Sequence, residues 1–350
     1  MISLATGLEP MAVKTADLNN DSFLDLVVAN RAGNTTSVFF GYGNGYFTQR
    51  IDLSTGPNAG TYAIAIGDVN KDNQLDIVVV NRHASNIGVF LGQGDKKFSK
   101  QKTFSTGTNS TPAELALHDL NNDTFLDLVV SDHEYDRVFV FLGTGDGEFI
   151  RTRDLSTGNS SGPYLILIND FNNDNLLDIA IGNGDVNNVG VFLGDGKGNF
   201  SQQITTYIES GPYAFVAVDF NKDGILDIAT ANYDSNNTSI LYGNGDGSFK
   251  LQNTFSTGDA SLPYAVTNGD FNRDNIDDLI IANSGTDNVG ILVGNSDGTF
   301  RKQKTYSTGR GSNAVEITIG DFNRDNQLDF VSANLNNNTI GIFLSTCSYN

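Results

Sequence analysis

One acidic loop with the pattern D-x-N-x-D-x-x-x-D occurs seven times in this chain, and each copy leads directly into a short apolar segment. The spacing between successive copies is 51 residues at five of the six steps and 49 residues at the other. A fixed period of about 50 residues is typical of repeat architectures, in which each unit contacts mainly its neighbours. The 350 residues are therefore predicted to form a single domain of seven units. The loops begin at Asp17, Asp68, Asp119, Asp170, Asp219, Asp270 and Asp321.

Each unit contains four short apolar segments separated by polar or glycine-rich turns. In the second unit these segments are TYAIAIGD, LDIVVVN, NIGVFLG and KTFSTG, and no window shows helical periodicity. Four antiparallel strands at this period are typical of a β-propeller blade. The sequence thus predicts an all-β, seven-bladed β-propeller with four antiparallel strands per blade. A β-solenoid with the same period is the alternative.

The two ends of the chain are predicted to share one blade. The seventh unit stops after TIGIFLSTC, its third strand, and the chain opens with MISLATG, which matches the end of a fourth strand such as KTFSTG. The N-terminal strand should therefore close the last blade and protect the exposed sheet edges. The predicted blades are residues 8–56, 57–107, 108–158, 159–209, 210–258, 259–309, and 310–350 together with 1–7.

The negative charge of the chain is concentrated in the seven loops. The three motif aspartates of the seven loops make up 21 of the 41 acidic residues, so the other 20 acids nearly balance the 21 lysines and arginines. Carboxylates held a few ångströms apart repel one another unless cations lie between them. The net charge of −20 therefore indicates cation sites and disfavours nucleic acid as a partner. The single cysteine, Cys347, permits no internal disulfide, and bound cations would take over that stabilising role.

Oxygen atoms at alternate positions of each loop predict a calcium site. Side chains at positions 1, 3, 5 and 9, the carbonyl at position 7 and water would supply the six to eight oxygens that calcium takes. An EF-hand is excluded because no glutamate follows at position 12 and a β-branched segment comes next, and magnesium requires a tighter octahedron. Asx turns without metal are the alternative. The predicted ligands are Asp17, Asn19, Asp21, Phe23 and Asp25; Asp68, Asn70, Asp72, Gln74 and Asp76; Asp119, Asn121, Asp123, Phe125 and Asp127; Asp170, Asn172, Asp174, Leu176 and Asp178; Asp219, Asn221, Asp223, Ile225 and Asp227; Asp270, Asn272, Asp274, Ile276 and Asp278; and Asp321, Asn323, Asp325, Gln327 and Asp329.

The loop and the downstream V-F-L-G-x-G-x-G-x-F motif resemble the FG-GAP and VCBS repeats of integrin α-chain propellers and related secreted proteins. The resemblance covers the whole chain and implies up to seven calcium ions, one per blade, in the hairpin between the first and second strands. Integrins keep the motif in only some blades, whereas all seven units have it here, so integrin ligand sites do not carry over. Lectins and some polysaccharide lyases use the same scaffold, and the resemblance leaves function open.

The face opposite the loops is predicted to bind a ligand because its turns vary from unit to unit. Tyrosines near the start of the first strand are the candidates, since they could stack on a sugar or anchor a protein partner. Packing between blades is the alternative reading. His83 and His133 fall in turns of neighbouring blades, where solvated histidines are more common than an acid-base pair. The tyrosines are Tyr62, Tyr164, Tyr213 and Tyr264.

Together these features predict a secreted or cell-surface recognition or adhesion module that binds calcium and has no catalytic activity of its own. A glycan is the first expected partner and an extracellular protein the second, with no nucleic acid and no membrane insertion. The module is expected to be monomeric and could belong to a larger protein. A polysaccharide-degrading enzyme of the lyase type and a passive spacer are the alternatives.

Overall fold

The structure is a computed structural model, and it describes residues 1–208 and 210–345. The predicted end of blade 4 at Glu209 and the last five residues of blade 7, including Cys347, lie outside the described residues. Within the described ranges, two 3₁₀ helices, Gly184–Val186 and Ser284–Thr286, interrupt a chain that otherwise consists of strands and turns. Neither these helices nor any other described helical segment has the length and apolarity needed to cross a membrane.

The strands fall into seven groups of four, which we label A to D in each blade. Blade 1 contains β2 (Pro10–Ala16), β3 (Asp25–Asn30), β4 (Thr35–Phe39) and β5 (Ile51–Ser54); blade 2 contains β6 (Thr61–Gly67), β7 (Asp76–Asn81), β8 (Asn86–Phe90) and β9 (Lys102–Ser105). Blade 3 contains β10 (Pro112–His118), β11 (Asp127–Asp132), β12 (Arg137–Gly143) and β13 (Phe149–Ser156); blade 4 contains β14 (Pro163–Asn169), β15 (Asp178–Asn183), β16 (Asn188–Phe192) and β17 (Ile204–Tyr207). Blade 5 contains β18 (Pro212–Val218), β19 (Asp227–Asn232), β20 (Asn237–Gly243) and β21 (Phe249–Ser256); blade 6 contains β22 (Pro263–Gly269), β23 (Asp278–Asn283), β24 (Asn288–Leu292) and β25 (Lys304–Ser307). Blade 7 contains β26 (Ala314–Gly320), β27 (Asp329–Asn334), β28 (Thr339–Phe343) and, from the start of the chain, β1 (Ile2–Ala5).

The N-terminal strand closes the ring, as predicted. In blade 7 the strand order is β26, β27, β28 and β1, and β1 pairs antiparallel with β28 in the register Ile2 with Ile342 and Ala5 with Thr339. The other six sheets each run A, B, C and D in chain order with antiparallel pairing. The all-β, seven-bladed propeller with four antiparallel strands per blade is therefore confirmed. The solenoid alternative is excluded because a solenoid does not join its two ends.

The hydrophobic core lies between blades and not within them. Strand B of every blade is completely buried, because both faces of a blade pack against neighbours; Val27 packs towards blade 2, whereas Val28 packs towards blade 7. Seven clusters of buried residues in the described chain each combine side chains from two consecutive blades, and one of them joins blade 7 to blade 1. β-Branched and aromatic residues favour such pleated, covered surfaces.

A glycine at the end of strand C permits the close approach that fixes the acidic loop. A Cβ atom at Gly41 would lie 2.3 Å from the carbonyl oxygen of Leu24, and the N–H of Gly41 donates to Asp25 Oδ1 at 2.8 Å. The loop and strand C are thereby tied together beside the glycine-rich turn. In blade 7, Ser345 N–H makes the equivalent bond to Asp329 Oδ1 at 2.7 Å.

Candidate functional site

The first aspartate of each acidic loop organises the turn around itself. Asp17 Oδ1 accepts the N–H of Asp21 at 3.0 Å, and its Oδ2 accepts the N–H of Ser22 at 2.7 Å. The Asp21 N–H also donates to Asn19 Oδ1 at 3.1 Å, so the position-1 and position-3 oxygens converge on one point. The same bonds occur in the other six loops, as in the loop of blade 5. The predicted ligands at positions 1, 3 and 5 therefore lie together.

The aspartate at position 9 is buried and holds the base of the loop. Asp25 Oδ2 accepts the N–H of Leu18 at 2.8 Å, while its Oδ1 accepts the N–H of Gly41 on strand C. Burial raises the pKa of Asp25 to about 6, and repulsion from Asp21 and Asp17 acts in the same direction, against the two N–H donors. The pKa is also raised to about 6 in the other six loops, at Asp76, Asp127, Asp178, Asp227, Asp278 and Asp329.

The chemistry of the loop suits a hard cation. Each carboxylate oxygen has two lone pairs, and an N–H bond occupies one of them. Three aspartates and one asparagine per loop are oxygen donors of the kind that calcium takes. When only Asp, Glu, His and Cys side chains are counted, the structure of residues 1–208 and 210–345 contains no group of three that could hold a metal ion. The calcium assignment, which also includes the asparagine and the position-7 carbonyl, stays a prediction.

Two residues in each loop adopt left-handed backbone conformations. Position 6 has positive φ in all seven loops, including +65° at Ser22 and +73° at Thr124, the two residues that depart from the Asn or Gly found elsewhere. Position 4 also has positive φ, from +57° at Asn20 to +63° at Arg273. The residue types at position 6 indicate this conformation, as do the three Asn residues at position 4, but the Lys and Arg residues at position 4 of the other four loops do not.

Neighbouring loops are joined by the side chain at position 4. Asn173 Nδ2 donates to the Gly224 carbonyl at 3.1 Å, and Lys222 Nζ donates to the Asn275 carbonyl at 3.2 Å. Lys71 reaches Thr124 Oγ1 in the same direction around the ring. Sequence reasoning missed these contacts, because they depend on how one blade is placed beside the next.

The four predicted tyrosines converge on the axis of the propeller. Tyr62 and Tyr264, which come from blades 2 and 6, place their hydroxyl oxygens 3.2 Å apart. Tyr164 lies with its ring centroid 6.5 Å from that of Tyr62 and 6.4 Å from that of Tyr213, and Tyr213 packs edge-on against Tyr264 at 5.3 Å. The four rings pack against one another across the axis. The alternative reading of the tyrosines, packing between blades, did not include this arrangement. Tyr213 remains 41% exposed.

Residues that directly follow strand B complete this cluster. Arg82 and Tyr233 were not predicted, and His133 was considered only as a solvated turn residue or a partner of His83. Tyr233 stacks on Tyr213 at 4.6 Å, and the His133 ring lies 4.8 Å from that of Tyr164. The guanidinium carbon of Arg82 lies 5.1 Å from the ring centroids of both Tyr62 and Tyr164. Their equal offset from the end of strand B is a sequence signal that could have identified them. We call this set the mouth: Tyr62, Arg82, His133, Tyr164, Tyr213, Tyr233 and Tyr264.

A cavity of about 270 Å³ runs from the mouth into the ring and is lined by strand A of all seven blades. Three charged side chains face it: Lys14, Glu114 and Glu316. Lys14 Nζ lies 3.7 Å from Glu316 Oε1, and these side chains are 41% and 25% exposed, so channel water reaches them. Burial raises the pKa of Glu114 to about 7, with Glu316 adding repulsion and Lys14 opposing it. Glu316 is the main cause of the raised pKa of Lys14.

Several solved structures share this fold at low sequence identity. Virginiamycin B lyase from Staphylococcus aureus superposes with a TM-score of 0.68 at 16% identity, covering 98% of this chain and 99% of that one. The periplasmic gluconolactonase of Pseudomonas aeruginosa gives 0.65 at 16% identity over 86% of each chain. An Agrocybe aegerita lectin that recognises non-reducing terminal N-acetylglucosamine gives 0.57 at 15% identity, over 94% and 87%.

The prediction that the chain has no catalytic activity of its own is wrong. The similar structures include a lyase and a gluconolactonase, so this fold supports catalysis in other proteins. A propeller brings residues together from separate blades, so a reactive site on this fold leaves no contiguous motif. In this chain, residues of three different blades, Lys14, Glu114 and Glu316, line the same cavity.

The family of the chain follows from its repeats. No curated protein gives a significant sequence match. The FG-GAP-like repeat matches six overlapping segments, residues 17–79, 68–130, 119–181, 170–230, 219–281 and 270–332, and each runs from one acidic loop through strand B of the next blade. These matches cover most of the propeller, with the same loop at the start of each. The chain therefore belongs to the FG-GAP-like repeat family.

Proposed function

We propose that this protein is a calcium-stabilised, extracellular recognition module that binds a glycan at the mouth. The observation that carries the proposal is the convergence of four tyrosines from blades 2, 4, 5 and 6 on one end of the axial cavity. Aromatic rings offer a large apolar surface with a polar hydroxyl, which suits the apolar faces and hydroxyl groups of sugars. The partly exposed Tyr213 is the ring most accessible to a ligand.

A glycan array tests this function. We expect the wild-type protein to bind a discrete set of glycans and the Tyr213→Ala variant to lose them. Tyr207→Ala is the matched control, because Tyr207 is 74% exposed on the outer strand of blade 4, away from the mouth. Loss of binding in both variants, or no binding by the wild type, would count against a glycan site at the mouth. If the propeller gives no hits on the array but retains an extracellular protein partner in a binding assay, a protein ligand is favoured. No binding in either assay would favour a spacer.

Calcium is proposed to stabilise the ring. If the free calcium concentration is tenfold above the Kd of each of seven sites, binding adds about 1.4 kcal/mol of stability per site. For independent sites the total is about 10 kcal/mol. That amount is comparable with the whole stability of a typical protein, about 5 to 15 kcal/mol. Extracellular calcium modules have Kd values of about 0.1 to 1 mM, so such sites fill where calcium is near millimolar. We therefore propose a secreted or cell-surface location.

Chelation tests the calcium proposal. Removing calcium with EGTA should lower the Tm by many degrees, and adding it back should restore the Tm, with magnesium much less effective. Equilibrium dialysis should give up to seven ions per chain. An unchanged Tm and no bound calcium at millimolar concentration would refute the stabilising role.

Catalysis at the same cavity is a second candidate, favoured by the Glu114 carboxyl. A pKa of about 7 suits a general acid or base at neutral pH. Burial raises the pKa of Tyr62 and Tyr264 above the usual value, so these hydroxyls serve as hydrogen-bond donors and not as bases. A lyase acting on acidic polysaccharides would release unsaturated products. Lyase activity that disappears in the Glu114→Gln variant and persists in the Glu148→Gln variant would establish this function. Glu148 serves as the control because its side chain is exposed on the loop face.

A further inference from the structure

We propose that Arg82 makes the mouth selective for acidic sugars, by binding the carboxylate of a uronate unit whose ring packs on the tyrosines. This inference rests on the proposed glycan-binding function and deepens it by naming the class of sugar. The observation that supports the proposal concerns the guanidinium of Arg82, which is fixed between two aromatic rings but has no hydrogen-bond acceptor among the described residues.

The position of Arg82 is set by its neighbours. It directly follows Asn81, the last residue of strand B in blade 2, and its N–H donates to the Gly60 carbonyl at 3.1 Å. Its guanidinium carbon lies 5.1 Å from the ring centroids of Tyr62 and Tyr164, which belong to blades 2 and 4. Such cation–π contacts are attractive and restrict the long side chain before any ligand arrives. The cost of ordering Arg82 is thus met in advance.

The hydrogen-bonding capacity of this guanidinium is unused in the described structure. Its Nη1 atom is buried and has no hydrogen-bond partner, and no described carboxylate forms an ion pair with Arg82. A buried donor without an acceptor is destabilising, because it has lost its hydrogen bonds to water and gained none in return. An arginine presents its donors in a planar fork that matches a carboxylate with two parallel bonds.

The other basic side chains near the mouth already face acids. Arg31, at the equivalent position in blade 1, has its Nε 2.9 Å from Glu9 Oε2. His133, in blade 3, has its Nε2 3.5 Å from Asp185 Oδ2. Arg82 lies between these two blades and is the cation at this register that the described residues leave unpaired. A ligand carboxylate is therefore directed to blade 2, whereas Asp185 and Asp234 on the turns of blades 4 and 5 repel it.

A sugar fits this arrangement better than an acidic peptide. Tyr164 and Tyr213 lie nearly parallel, with an interplanar angle of 16°, and Tyr233 extends the aromatic surface from Tyr213. A uronate carries its carboxylate on a ring that can pack against such faces, so one unit can contact Arg82 and the aromatic surface together. The cavity of about 270 Å³ lies near the lower end of ligand pockets, which are about 300 to 1,000 Å³, and suits one or two sugar units.

A matched pair of ligands tests the proposal. Isothermal titration with tetragalacturonate and with its fully methyl-esterified form compares the same sugar with and without charge. We expect the acid to bind wild-type protein at least about tenfold more tightly than the ester, which corresponds to about 1.4 kcal/mol. The Arg82→Gln variant should bind both forms equally at the affinity of the ester, and Arg82→Lys should retain part of the preference. The control is Arg301→Gln, which replaces an exposed arginine of blade 6 that lies away from the mouth. This variant should behave as wild type.

Each other outcome overturns the proposal. Ester binding equal to acid binding in the wild type would leave the glycan site standing and remove the role of Arg82. An unchanged preference in a folded Arg82→Gln variant, checked by its Tm and circular dichroism, would do the same. Binding of a polyglutamate peptide but of neither sugar would assign the mouth to a protein ligand. Binding of neither sugar, together with a silent array, would remove the glycan function itself.

Discussion

At the scale of single residues, the acidic loop imposes its shape on whatever side chain the sequence supplies. Ser22 and Thr124 occupy position 6 with φ of +65° and +73°, where five other loops have Asn or Gly. A left-handed conformation costs a residue with a Cβ roughly 1 kcal/mol, and a β-branched residue suffers most. These two loops therefore hold more backbone strain than their five counterparts.

Relieving that strain should stabilise the protein. Thr124→Asn is expected to add about 1 kcal/mol and to raise the Tm by roughly 1 to 2 °C, because asparagine tolerates this conformation. The reverse change at the equivalent position, Asn175→Thr, should lower the Tm by a similar amount. Calorimetry of both variants at saturating calcium is the measurement. Equal Tm values for the two variants would show that the left-handed backbone conformation does not make asparagine more stable than threonine at position 6.

Glu114 should make stability depend on pH. Its pKa is about 7 in the folded state against 4.5 ordinarily, so between these values the folded protein binds more protons than the unfolded chain. Its contribution to stability is therefore lost as pH rises from about 4.5 to about 7. Lys14 of β2 and Glu316 of β26 face the same cavity and also carry raised pKa values.

The Glu114→Gln variant isolates this effect because it removes the titrating group. Its stability relative to wild type should increase as pH rises through that window, by on the order of 1 kcal/mol once channel water is considered. Melting curves from pH 5 to 8 at fixed calcium would measure it, with Glu148→Gln on the exposed loop face as control. A difference that is constant with pH would mean that Glu114 has an ordinary pKa.

At the scale of elements, the acidic hairpin combines two kinds of aspartate. Asp123, at position 5, is exposed and accepts the N–H of Phe125. Asp127, at position 9, is fully buried and accepts the N–H groups of Leu120 and Gly143, both at 2.9 Å. The first mainly orients the loop, whereas the second joins strand A, strand B and strand C of the blade.

Substituting these two aspartates should separate metal binding from folding. In EGTA, Asp127→Ala should cost about 2 to 5 kcal/mol, because two buried N–H groups lose their acceptor, and Asp123→Ala should cost less than about 1 kcal/mol. With calcium, each variant should bind one ion fewer than wild type. Tm measurements with and without EGTA, together with equilibrium dialysis, test both points. Asp146→Ala, in the exposed glycine-rich turn of the same blade, should change neither quantity much.

The sequence was sufficient for most features that repeat within a blade. The fixed period, the alternating apolar segments and the turn residues predicted the strands, the blade count and the closure by residues 1–7. Features that exist only between blades were missed. Lys71 and Asn173 look like ordinary polar loop residues until the next loop is placed beside them. Arg82 and His133 lie in turns of different sequence, and their shared offset from the end of strand B places them at one axis only once the ring is assembled.

At the scale of the whole molecule, the ring depends on one non-covalent joint. β1 supplies the outer strand of blade 7, and blades 7 and 1 also share a hydrophobic cluster that includes Leu26, Val331 and Ile340. In the rest of the ring, the chain itself connects one blade to the next. The junction in blade 7 is therefore where opening should begin.

Deleting residues 1–5 should expose the edge of β28 and lower the Tm by several degrees, because the Ile2 to Ala5 ladder is lost. A synthetic peptide of residues 1–7, added in excess, should restore much of the Tm by refilling the edge, whereas a scrambled peptide should not. Differential scanning fluorimetry with peptide titration is the measurement. Full stability of the truncated chain would show that the side-chain cluster alone keeps the ring shut.

The joint in blade 7 also dictates an order of events during synthesis. Ile2–Ala5 leave the ribosome well before their partner Thr339–Phe343, which emerges more than 300 residues later. At a synthesis rate of about 5 to 20 residues per second, β1 waits on the order of tens of seconds for its partner strand β28. A nascent chain that stalls before Phe343 would thus carry an unpaired β1 strand and an open ring, which chaperones and proteases could distinguish from the closed propeller.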